Sequence, residues 1–221
     1  MDQWERHWKA RHSSYPYFNR DGIVNDGQWE QIPEGKHILV VLKETNGLEG
    51  SLAEFLDHGG NDTYYRTWNQ VARWVQMILY GTYLDRVDRE TLNRTVQKIA
   101  VINLKKYAGG KTAKAREVKA AAMEDLPLLK RQVRLYQPDI ILTGGWGLVS
   151  NFLHDEILEE GCAWKNPYQE TASEENPDLW YFWTRRVWGD KPTLVVSMPH
   201  PNRAAKKWTM ELQKLLRKEE F

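Results

Sequence analysis

Apolar and polar positions along this 221-residue chain alternate between two spacings. Four short runs are apolar at nearly every position: His37–Leu42, Ile99–Ile102, Asp139–Leu142 and Thr193–Ser197. A continuous apolar run of that length suits a strand covered on both faces. Between the runs the spacing shifts to three and four residues. Tyr64, Trp68, Val71, Val75, Ile78 and Leu79 predict a helix over 63–80, with Asn61 or Asp62 as its cap and Gly81 as its stop. Further helices are expected over 89–97, 112–136, 148–158 and 204–218, the second of them kinked or split at Pro127. Trp4 and Trp8 lie one turn apart and anchor an N-terminal helix. The aromatic, alternating stretch 178–186 reads as an edge strand or a hairpin arm.

Strands alternating with helices predict an α/β chain, three-layer α/β/α, with a central, mostly parallel four-stranded sheet. One domain over 1–221 is expected, with 1–36 as a helical and loop extension. In such sheets ligands bind outside the carboxyl ends of the strands. The four strand ends read Leu42-Lys43-Glu44-Thr45-Asn46-Gly47, Ile102-Asn103-Leu104-Lys105-Lys106, Leu142-Thr143-Gly144-Gly145 and Met198-Pro199-His200-Pro201-Asn202-Arg203. Topology brings them to one edge, which gathers a carboxylate, an amide, a glycine turn and an imidazole.

Composition narrows the choice of chemistry. With 31 basic and 30 acidic residues the chain is nearly neutral, so global charge gives no argument for nucleic acid. Local clustering does. Residues 98–119 carry seven basic residues (Lys98, Lys105, Lys106, Lys111, Lys114, Arg116 and Lys119) against one acid, Glu117. Arg203, Lys206 and Lys207 begin a second patch. Two basic stretches beside one pocket suit a phosphate-backbone track, and a solvated helix face is the other reading. The single Cys162 excludes an internal disulfide and a four-cysteine metal centre, and fits a reducing cytoplasm. No apolar stretch is long enough to span a membrane. A monomer without metal or cofactor is expected.

Each candidate residue has a definite chemical use. Glu44 can stabilise a developing cation or position water. His200, between two prolines that stiffen the backbone, can donate a hydrogen bond to an oxyanion. Asn103 both donates and accepts, so it can read the edge of an amide-like ring. Dinucleotide, Walker A, nucleophile-elbow and His-Glu-x-x-His patterns are all missing. Cys162 has no evident base beside it, and packing is its expected role.

In order and spacing, the four strand ends resemble the uracil-DNA glycosylase superfamily over about residues 38–207. Residues 42–47 look like the family's first motif, with Glu44 on its acidic position and Gly47 on its last glycine. Lys43 stands where that motif has a glycine and Asn46 where it has proline. Asn103 with the following lysines resembles the base-reading asparagine, and 198–203 resembles the second catalytic motif, with Asn202 in place of serine. The resemblance implies cleavage of a base from DNA. His200 would stabilise the base oxygen and Glu44 the sugar cation. Asn103 would select the base, with Phe55 and Gly47 beside it. Lys105, Lys106, Lys111, Asn202, Arg203 and Lys206 would hold DNA. A non-catalytic binder of nucleic acid or a nucleotide-like ligand is the alternative. A small-molecule enzyme or an interaction module unrelated to DNA is a third reading.

Overall fold

The computed structural model describes residues 2–14, 17–59, 65–110, 112–158, 180–184 and 192–221. Among them one sheet runs through the centre. Its strands are β1 (Gly22–Ile23), β2 (Ile38–Leu42), β3 (Ala100–Asn103), β4 (Ile140–Gly144), β5 (Trp180–Thr184) and β6 (Thr193–Met198), in the order β1-β3-β2-β4-β6-β5. The four expected strands form the parallel centre, β3-β2-β4-β6. Two antiparallel edges flank them. β1 pairs with β3, and β5 pairs with β6 in the stretch expected to be an edge strand. The parallel strands alternate their side chains between two apolar layers. Ile38, Val40 and Leu42 pack on one side, with Trp68, Val71, Trp74 and Val75 of α4 (Tyr65–Tyr80) and Trp208 and Leu212 of α9 (Lys206–Lys218). Leu39 and Val41 pack on the other, with Val118 of α6 (Ala115–Glu124), Leu129 and Val133 of α7 (Leu126–Tyr136) and Phe152 of α8 (Leu148–Phe152). The result is α/β/α layering, and both faces of each central strand are dry.

The helices follow their sequence signals closely. α5 spans Arg89–Val96, capped by Asp88, whose Oδ1 accepts the Thr91 N–H at 2.7 Å. The helix expected over 112–136 is divided into α6 and α7, with Pro127 in the first turn of α7, where its missing N–H costs nothing. α8 continues as a π-helical turn, Leu153–Leu158. A short α3 (Leu52–Asp57), capped by Ser51, was not expected from spacing; two buried leucines are too few for a period. The caps expected at Asn61 or Asp62, the start of α4 at 63–64, Lys111, Cys162 and the flanks of β5 lie outside the described residues.

The described residues before β2 carry two helices and an edge strand that joins the central sheet. β1 belongs to the sheet, α2 (Asp26–Trp29) buries Trp29 in the second layer, and α1 (Asp2–Arg11) is tied to the α6–α7 junction. Fully buried Trp8 donates from Nε1 to Asp125 Oδ2 at 3.0 Å, and His12 Nε2 meets Asp125 Oδ1 at 3.0 Å. The tightest tie is Asp21, just before β1. Its carboxylate takes the Lys106 ammonium at 2.7 and 2.8 Å, Gln132 Nε2 at 2.8 Å and the Asn103 N–H at 2.7 Å. Gln132 Oε1 takes a further Lys106 proton at 2.7 Å. Burial pulls the Lys106 pKa below its ordinary value, and the Asp21 charge opposes it. Among the described residues no helix is long and apolar enough to cross a membrane.

Removing one partner of a buried pair strands the other charge, which typically costs about 3–5 kcal/mol. Asp21→Ala is therefore expected to lower unfolding free energy by about that much in urea denaturation, because Lys106 loses the carboxylate that neutralises it.

Candidate functional site

Counting only the parallel strands, the chain lays down β2, then β3 on one side, then β4 and β6 on the other. The direction reverses at β2/β4, and doubly wound sheets bind ligands outside the carboxyl ends at such a point. A cleft of about 320 Å³ opens there. Lys43, Glu44, Thr45 and Asn46 after β2, Asn103 at the end of β3, His200, Asn202 and Arg203 after β6, and Phe55 and Trp68 from the helical layer all line it.

Asn103 forms the floor. It is 1% exposed, and its backbone N–H is held by Asp21. Its side-chain Oδ1 and Nδ2 are both buried, and neither has a hydrogen-bond partner among the described residues. A buried amide left open at both ends carries a desolvation penalty of about 1–3 kcal/mol per group, which water or a ligand in the cleft would relieve.

His200 caps the short helical turn Pro201–Arg203, and its Nδ1 accepts the Asn202 backbone N–H at 3.3 Å. That bond leaves the ring proton on Nε2, which makes Nε2 a donor. Burial lowers the His200 pKa first, and the nearby Lys43 and Arg203 charges lower it further. Both effects favour the neutral imidazole. Gly144 underlies this turn. A Cβ there would overlap Leu42 and press on the Pro201 ring, so glycine is what lets the β6 turn close over β2.

Glu44 is paired with Lys105, and the side chains are 5% and 4% exposed. The Lys105 ammonium donates to Glu44 Oε2, which leaves Glu44 Oε1 without a donor among the described residues. The carboxylate lies against Gly109, where any Cβ would occupy its space. Backbone bonds clamp the same two loops: Lys105 N–H to Lys43 O at 2.9 Å and Gly109 N–H to Thr45 O at 2.8 Å.

The sequence-derived candidates thus divide. Glu44, Phe55, Asn103, His200, Asn202 and Arg203 share the cleft. Gly47 does not line it; at φ +68° it makes the turn and donates to Gly109 O at 3.2 Å. Lys105 and Lys106 were expected on a phosphate track, but both are buried and neutralise Glu44 and Asp21. Apolar neighbours on both sides of the sheet edge make an unpaired ammonium there too costly. Lys206 is exposed and bonds Asp85 at 3.0 Å, and Lys111 is outside the described residues. Lys43, which the sequence marked only as a departure from a motif, lines the cleft and has no ion-pair partner among the described residues, like Arg203. Its signal was its place directly after a buried strand. Among the described residues no group of three or more histidine, cysteine, aspartate or glutamate side chains could hold a metal ion.

No family model matches this chain, and no curated protein matches it.

With Glu44 tied to Lys105, Lys43 and Arg203 line the cleft without an ion-pair partner among the described residues. It suits a ligand with an amide-like edge for Asn103 and a negative or developing negative group for His200 Nε2–H. Gly109→Ala is expected to lower stability by about 1–3 kcal/mol, the usual range for an overpacked site, measured by thermal unfolding. The added methyl must displace the Glu44 carboxylate from Lys105.

Proposed function

We propose that this chain is a DNA glycosylase of the uracil-DNA glycosylase superfamily, hydrolysing the N-glycosidic bond of uracil or another modified base in DNA. The observation that carries the reading is the open amide of Asn103 at the floor of a strand-end cleft that also holds a neutral imidazole donor. A pyrimidine such as uracil presents an N–H next to a carbonyl, which complements both ends of that amide.

A base in a duplex must leave its stack to enter such a cleft, at a cost of roughly a few kcal/mol. Phe55 and Trp68 supply apolar wall against a ring. As the C1′–N bond breaks, its electron pair goes to the base, and His200 Nε2–H stabilises the oxygen that takes the charge. The sugar gains positive charge, which the Glu44 carboxylate offsets. A water oxygen then bonds to C1′, and the proton it loses balances the base anion. Glu44 Oε1 is the free acceptor that orients this water.

The Glu44–Lys105 pair favours a second reading, a non-catalytic binder of the same ligand class, because Lys105 cancels much of the charge that would stabilise the sugar. A panel of labelled single- and double-stranded oligonucleotides containing uracil, hypoxanthine or other modified bases separates the two. Abasic product is expected; ligand-specific binding without product would establish the binder.

His200→Ala is expected to slow base release about a hundredfold or more, while oligonucleotide binding survives. Equal single-turnover rates for the variant and the unmodified protein would remove His200 from the mechanism. The lowered His200 pKa also sets a pH window. Protonation puts a proton on Nδ1, where the Asn202 N–H already points, so the ring must give up its position. The rate is expected to stay level as pH falls from about 8 to about 6.5, the ordinary histidine value, and to drop only below it. A profile that halves at the ordinary value would contradict this environment for the ring.

A further inference from the structure

Trp146 follows β4 on the same strand-end edge, and it is 46% exposed. Single exposed apolar residues are common and need no explanation. Three features distinguish this one. Glycines at positive φ flank it, Gly145 at +138° and Gly147 at +73°, so the loop lifts the indole by a backbone path that other residues rarely follow. The ring is also braced. Trp208, at the start of α9, meets it edge-on, with centroids 4.7 Å apart and planes at 75°. An edge-to-face contact holds an indole while leaving one of its own faces or edges to solvent. Finally, the surround is cationic and unpaired. Position 145 lies against the Lys43 side chain, Arg203 ends the short helical turn that precedes α9, and Lys207 Nζ is 5.3 Å from the Trp208 ring centre. Lys43, Arg203 and Lys207 have no carboxylate partner among the described residues.

An aromatic face among free cations is the arrangement that binds single-stranded nucleic acid, where bases stack on rings and phosphates meet the charges. The geometry points to Trp146 as a stacking platform for an unpaired DNA base beside the cleft, with Arg203 and Lys207 holding the adjoining phosphates. Single-stranded DNA is then the preferred partner, because a paired base keeps its faces inside the duplex stack. This deepens the proposed function by naming its strand preference and rests on that reading for the partner class.

The test uses unmodified DNA, so it stands apart from base release. Fluorescence anisotropy with a labelled oligo-dT and with a blunt duplex of equal length is expected to show tighter binding of the single strand. Trp146→Ala is expected to weaken single-strand binding about five- to 150-fold, while Trp146→Phe keeps most of it. Arg203→Gln and Lys207→Gln are each expected to flatten the plot of log affinity against log salt by about 0.7. A folded Trp146→Ala, checked by circular dichroism, that binds oligo-dT as tightly as the unmodified protein overturns the platform. Equal affinity for single strand and duplex also overturns it. Abasic product with no Trp146 effect removes the platform alone; Trp146-dependent binding without base release removes the glycosylase alone.

Discussion

Two adjacent lysines, Lys105 and Lys106, are buried just past the end of β3, and each meets one carboxylate from a different segment. Lys106 takes Asp21, which directly precedes β1; Lys105 takes Glu44, which belongs to the loop after β2. Buried ion pairs add little net stability against an apolar alternative, but they are costly to break. Their effect is to fix geometry. The Asp21 carboxylate that neutralises Lys106 also binds the Asn103 N–H, so one buried pair sets the floor of the cleft. The other pair, with Gly109 against the carboxylate, sets its wall. Without these charges in place, the amide and the carboxylate would have no common frame.

The same clamp shapes the electrostatics of the opening. Both inner lysines are spent on inner acids, so the charge left facing the cleft comes from Lys43 and Arg203. Burial first, and then those charges, lower the proton affinity of His200, whose half-buried ring is a donor through Nε2 in its neutral form. A neutral donor among cations can stabilise an anion that forms late without first binding every anion in solution. Phe55 and Trp68 add flat apolar surface to the cleft wall, and Trp146 stands exposed just after β4.

The central sheet was legible because its signal is local. Runs such as Ile38–Leu42 have no polar face, and only a strand covered on both sides uses such a run. The end of each run then marks the site edge, so Asn103, Glu44 and His200 could be named from position alone. β1 could not be seen, because two residues, Gly22 and Ile23, make no period. Basic clustering misled for the reason that charge in a sequence carries no depth. Lys105 and Lys106 look like a surface track until Asp21 and Glu44, distant in sequence, are brought against them.

By itself, therefore, the chain determined the α/β layering, the four parallel strands and the edge on which polar residues gather, since all of these follow from the spacing of apolar side chains. The tertiary structure alone decided which charges are consumed inside and which face the cleft. It also decided that both ends of the Asn103 amide stay open among the described residues, which ring nitrogen of His200 carries the proton, and that Trp146 stands exposed after β4. Those properties depend on neighbours contributed by separate segments, and on burial, which changes the energy of a charge or an amide far more than its identity does.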